Sequence, residues 1–193
     1  MLGGLPPDLR GLLEHTNGFV AFQGGLHVRG VGIEPAWHSL DLARNGSESI
    51  QALFASVLPD DIPFAQDCLG DQFLLRNNVV HRLRAETAEI QNLCLALDAF
   101  LSKLASDPGE ILELEPLLKF RDDGGTLAPG QLLNVYPPFV FEESATGVSL
   151  KAVPAREQLE FLSSLSKQLA SLAEGQQVRL RMTGSTGDLP RHP

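Results

Sequence analysis

Four aspartates crowd one stretch of this 193-residue chain: Asp60 and Asp61 side by side, then Asp67 and Asp71 astride Cys68, Leu69 and Gly70. Two carboxyl groups sharing a cleft can divide general acid and general base work, the arrangement of a hydrolase. A turn is the simpler use of Asp67 and Asp71, because an aspartate accepts hydrogen bonds from the backbone N–H groups of the turn it opens. Histidines stand at 15, 27, 38, 81 and 192, without the His-x-His or His-Glu-x-x-His spacing that puts two imidazoles on one metal. Cys68 and Cys94 lie in apolar runs, apart from any Cys-x-x-Cys, and are expected to be buried thiols. No Gly-x-Ser-x-Gly elbow is present, and the Gly-Ser-Thr-Gly stretch at 184–187 lacks the lysine of a phosphate loop. These patterns call for no metal, no cofactor and no catalysis.

A net charge of −9 and a pI of about 4.9 oppose binding to a phosphate backbone, which requires clustered Lys and Arg to displace counterions. No nucleic acid is expected as a partner. Residues 1–119 carry 8 Lys and Arg against 16 Asp and Glu, whereas residues 120–193 carry 7 against 8. An acidic field confined to the first part favours encounter with a basic protein, although net charge also keeps a protein in solution. No run approaches the ~18 apolar residues of a membrane span, and the first residues lack the basic and apolar regions of a signal peptide. A cytoplasmic protein without membrane contact is the expectation.

Elements must hold these side chains in place. Leu5, Pro6 and Pro7 followed by Leu9, Leu12 and Leu13 predict a short helix closed at Asn17 and Gly18. Strands over 19–22 and 26–29 form a hairpin about Gln23, Gly24 and Gly25, and a further strand is expected over 37–42. Ser47 reads as the N-cap of a helix carrying Ile50, Leu53, Phe54 and Val57. Residues 62–65, 72–75 and 79–83 read as three antiparallel strands of a meander. Ile90, Leu93, Cys94, Leu97, Phe100, Leu101 and Leu104 recur at helical spacing, which predicts one long helix from Glu86 or Thr87 that covers the sheet. Asp107, Pro108 and Glu110 have the order of an N-cap, a first-turn proline and a capping-box glutamate, opening a short helix that Pro116 limits.

Beyond the polar break at 122–125 come a strand over 132–141 interrupted by Pro137 and Pro138, and a second strand over 148–152. A helix from Ala155 carries Leu159, Leu162, Leu165, Leu169 and Leu172 before Gly175, and a last strand is expected over 178–182. The reading is an α+β fold. A central antiparallel meander flanked by helices occupies 1–119, a C-terminal β-β-α-β extension packed on it 120–183, and a flexible tail 184–193.

Leu5-Pro6, Leu9, Leu12-Leu13, Asn17-Gly18 and Gly24-Gly25, then Phe64-Ala65, Asp67, Gly70-Asp71, Phe73 and the stripe ending in Phe100-Leu101, together resemble the SUKH superfamily. That group embraces bacterial immunity proteins and a fungal cell-wall synthesis regulator, and the resemblance covers residues 5–105. It implies an α+β fold, no catalysis, and direct binding of a toxin, often a nuclease. No binding residue transfers from it, since the shared motifs mostly shape the fold. Asp60, Asp61, Asp71 and Glu86, the acidic residues near the meander, are the partner-binding candidates for a basic toxin domain. A regulatory scaffold that recruits an assembly partner is the alternative, and a carboxylate hydrolase the third reading.

Overall fold

In the computed structural model, which describes residues 2–171, the chain forms an α+β fold around one six-stranded antiparallel sheet. Proline in the first turn starts α1 (Pro7–Thr16), whose Leu9 and Leu13 are buried; Asn17, left-handed at φ 49°, caps it by donating its N–H to Leu13 O. Strands β1 (Phe19–Ala21) and β2 (Leu26–Val28) form the expected hairpin.

The expected strand over 37–42 is instead a 3₁₀ turn at Ala36–His38 followed by α2 (Leu40–Arg44). Ser39 decides this, because its hydroxyl accepts the Leu42 N–H and so caps a helix where a strand would need the same groups for a ladder. In α3 (Ile50–Leu53) the capping hydroxyl comes from Ser49 rather than Ser47, and the single turn ends before Phe54 and Val57, which are nonetheless buried.

The meander is built as expected from β3 (Ile62–Asp67), β4 (Gln72–Arg76) and β5 (Val79–Arg84). The long helix is not. A turn through Ala88, at φ 58°, leads into a sixth strand, β6 (Glu89–Leu95), and only then does α4 (Leu97–Ser106) begin. A free edge on β5 offers ladder hydrogen bonds that outweigh a weak helical preference. The helical spacing of Ile90 and Leu93 arises differently: the register shifts opposite Val80 and His81, and Cys94 takes φ 55°. That irregularity lets Ile90 pack on one sheet face while Leu93 and Leu95 pack on the other. Cys94 is exposed there, contrary to the buried thiol expected, whereas Cys68 is buried.

Asp107 caps α5 (Pro108–Leu112) through the Glu110 N–H, as its residues suggested. Pro116 opens a new helix, α6 (Glu115–Asp122), which runs across position 119. A two-stranded sheet of β7 (Gln131–Tyr136) and β8 (Ser149–Pro154) precedes α7 (Ala155–Ala170). The strand expected over 178–182 and the tail over 184–193 lie outside the described residues.

Two cores sandwich the large sheet. On one face Val28, Phe64, Phe73, Leu75 and Val80 pack under α1, α4 and α5, with Phe100 edge-on to Phe64 at 5.8 Å between ring centres. On the other, Leu74, Leu83 and Ala85 meet Ile50, Leu132, Leu159 and Leu162, so β7 and α7 complete the second core. Alternation along β2 sends Leu26 and Val28 into the first core, which leaves His27 and Arg29 to face the second. Among the described residues no helix is long and apolar enough to cross a membrane.

Candidate functional site

The β3–β4 turn is organised by Asp67, whose Oδ1 accepts the N–H groups of Leu69, Gly70 and Asp71. Its Oδ2 accepts from Arg82 Nη2 at 2.9 Å, and Arg82 Nε donates to Asp71 Oδ2 at 2.8 Å. Arg84 extends the cluster to Glu113 with two hydrogen bonds of 2.8 and 2.6 Å. Burial, then the neighbouring Asp71, push the Asp67 carboxyl above its usual range, and Arg82 opposes both. Glu113 is pulled the other way by its hydrogen bonds to Arg84. Burial also raises the Cys68 thiol well above its ordinary value, which leaves it a poor nucleophile.

Beside this cluster opens a groove of about 660 Å³ lined by Asp71, Glu86, Glu89, Glu113 and Glu115, by Arg84, and by apolar Leu69, Val135, Phe139, Val140 and Leu162. Five carboxylates thus face one lining guanidinium. Glu86 is half-buried, and its two carboxylate oxygens accept the N–H groups of Phe139 and Val140 at 3.1 and 2.9 Å. Those bonds hold the 137–141 loop across the groove and leave Phe139 and Val140 largely exposed, at 43% and 40%. Burial raises the Glu86 carboxyl against these two donors.

The four acidic candidates divide between the two ends of the sheet. Asp71 and Glu86 meet at the groove. Asp60 and Asp61 precede β3 at the opposite end of the strands, so one surface does not gather all four. Only Asp60 is exposed. Asp61 is buried and takes a bidentate pair from Arg76, 2.7 Å for both bonds, while also accepting the Leu58 N–H. Asp61 and Asp71 therefore hold internal ion pairs rather than presenting free charge. Asp61→Ala is expected to cost about 3 kcal/mol by stranding Arg76 and the Leu58 N–H, and Asp60→Ala less than about 0.5 kcal/mol. Urea titrations of the two variants check this; equal midpoints would refute it.

A second polar site lies on the sheet face under Trp37. Arg29, only 3% exposed, donates from Nη1 to Pro63 O at 2.7 Å and from Nη2 to the amide oxygens of Gln66 and Gln72 at 2.8 and 2.7 Å. All three acceptors are neutral. Among the described residues no carboxylate pairs with Arg29, and burial alone lowers its pKa to about 9, still cationic at neutral pH.

Next to it the histidines form a directed chain. The carbonyl oxygen of Asn17 can only accept from His38 Nε2 at 2.9 Å, and in the tautomer with its proton on Nε2 the His38 ring accepts at Nδ1 from His27 Nε2 at 2.8 Å. His27 Nδ1 then faces Gln66 Nε2, a donor, at 3.5 Å. Burial, then the charge of Arg29, then His38 lower the His27 pKa to about 3.

The chain matches no family model and no curated protein. The groove and the buried guanidinium are the features that can carry a functional reading.

Glu89, Glu113, Glu115, Phe139 and Val140 carried no signal in the sequence, because three separate segments bring them together. Arg29 and His27 did carry a partial one. Their alternation with Leu26 and Val28 marks a polar strand face, which ordinarily faces water; α3, α7 and the Trp37 turn cover it here. Among the described residues no three of His, Cys, Asp and Glu gather as a metal site.

Proposed function

We propose that the protein is a non-catalytic binding module that docks a basic protein partner on the acidic groove, acting in the cytoplasm as an immunity-type protein that neutralises a bacterial toxin. The observation that carries this reading is the pairing of carboxylates with exposed apolar side chains at one groove. Glu89 and Glu115 are exposed and take no part in an ion pair among the described residues, which leaves their charge available for steering. Phe139 and Val140 supply the apolar centre that a protein interface needs, since aromatic anchors inside a polar rim contribute most of the binding energy. The short motifs that resemble the SUKH superfamily favour the same role.

Co-expression with a toxin encoded beside this protein's own gene is the direct test. Protection of growth is expected from the unaltered protein and its loss from Phe139→Ala. The double change Glu89→Lys and Glu115→Lys should slow association with the purified toxin domain about tenfold and flatten its salt dependence. Protection that survives both sets of changes, with melting temperatures unaltered, would remove the groove from the proposal.

A further inference from the structure

A second cavity, of about 260 Å³, lies on the sheet face covered by α3 and α7, with Arg29 and Gln66 in its lining. Its walls come from the Trp37 turn, α2, α3 and the first turns of α7, and they are mostly apolar. The volume falls just below the ~300 Å³ at which ordinary small-ligand pockets begin, so an occupant must be small. Arg29 is the unusual member. A buried guanidinium bonded only to neutral oxygens keeps the desolvation cost of its charge without the Coulombic return of a carboxylate. Three of its five N–H groups are used by Pro63, Gln66 and Gln72, both glutamine bonds coming from Nη2, so Nε–H and one Nη1–H remain as single donors for an anion.

We propose that this cavity binds a small organic monocarboxylate, its carboxylate paired with Arg29 and its apolar body against Trp37, Ile50, Leu53 and Leu159. Charge at the mouth argues for one negative charge rather than two. Arg156 there is already paired with Glu48 and Glu160, so the rim adds no free cation for a phosphate dianion. The apolar walls likewise suit a hydrocarbon or aromatic body better than a sugar. This proposal is independent of the groove, and a partner bound there need not touch it.

Trp37 is the only tryptophan of the chain and lines the cavity, so its fluorescence reports occupancy directly. The full chain is titrated with butanoate, hexanoate and benzoate, and separately with hexanamide and benzamide. At least one acid is expected to give a saturable change with a half-point below about 1 mM, and its amide to bind tenfold or more weakly, because the amide cannot neutralise Arg29. Ala43→Phe, which fills the cavity from α2 without touching Arg29, should weaken the acid at least tenfold, as should Ser47→Phe at the exposed mouth. The acid-to-amide contrast is read on the unaltered protein, so it decides the matter even where a variant does not fold. Equal response to acid and amide, or no saturable response to any acid, overturns the proposal. So does undiminished affinity in a folded Ala43→Phe variant.

Discussion

Arg82→Met is expected to remove about 4 kcal/mol of folding stability at pH 7, a large share of the ~5–15 kcal/mol by which folded proteins are stable. The methionine keeps much of the volume and the packing over Phe73, whose ring centre lies 5.9 Å from the guanidinium carbon. What it removes is the shared partner of Asp67 and Asp71, together with the bond to Ile111 O at 2.8 Å. Two buried carboxyls of like charge then face each other with only the half-exposed Arg84, 3.5 Å from Asp71 Oδ2, as a cation, and breaking a buried pair from one side costs far more than the pair contributes in net terms. The pH dependence separates this cause from lost packing. With Arg82 gone, the Asp67 carboxyl, which burial and then Asp71 already raise, loses the charge that opposes the shift. The variant's stability from this group is then fully present below the unfolded carboxyl pKa and is lost as pH rises through the raised folded value. A smaller deficit at pH 5 than at pH 8 is therefore expected. Adding Asp71→Asn to the variant should return about 1–2 kcal/mol, since the like charge goes while an amide oxygen remains for the Ala85 N–H. Urea unfolding followed by circular dichroism measures all three quantities. A deficit under about 1 kcal/mol, or one that is the same at both pH values, would mean that the turn is held by something other than these charges.

Acidification should act through His27. Its folded pKa of about 3 lies below the ordinary 6.5, so the unfolded chain binds one more proton than the folded protein between those values. The sign follows. Stability from this group is complete above pH 6.5, falls by about 1.4 kcal/mol per pH unit below it, and is lost as pH drops through about 3. The full effect approaches ~5 kcal/mol, an upper figure because the ring has some access to water. Geometry gives the same direction. A proton on His27 Nδ1 would point at the Gln66 Nε2 donor, and turning that amide would withdraw an acceptor from Arg29. His27→Gln cannot titrate, so its urea midpoint should move much less between pH 7.5 and pH 4 than that of the unaltered protein. Parallel midpoints in the two proteins would show that other groups carry the acid sensitivity.

Both effects rest on residues whose local roles were partly legible. The Asp67 turn could be anticipated because an aspartate two to four residues before the N–H groups that it accepts needs only its own segment. The same holds for the Asp107 cap with Pro108 behind it, and for α7, whose leucines lie on one face under any tertiary arrangement. Asp61 and Asp71 illustrate the limit. Both are acidic residues beside turns and looked available to a partner, yet Arg76 and Arg82 arrive from strands 15 and 11 residues further along and neutralise them.

The amino-acid sequence alone settled the α+β class, the meander over β3 to β5, the Asp67 turn and the caps at Asn17 and Asp107, since each depends on hydrogen bonds or side-chain spacing within a few residues. Tertiary structure alone decided that residues 89–95 pair as an edge strand and that α7 covers the polar face of β2. It also decided that Glu86, Glu115 and Phe139 share one groove. The physical reason is common to all three. Ladder bonds, burial of a cation and convergence of charge are properties of neighbours in space, and here those neighbours range from the adjacent strand β5 to helix α7 at the far end of the described chain.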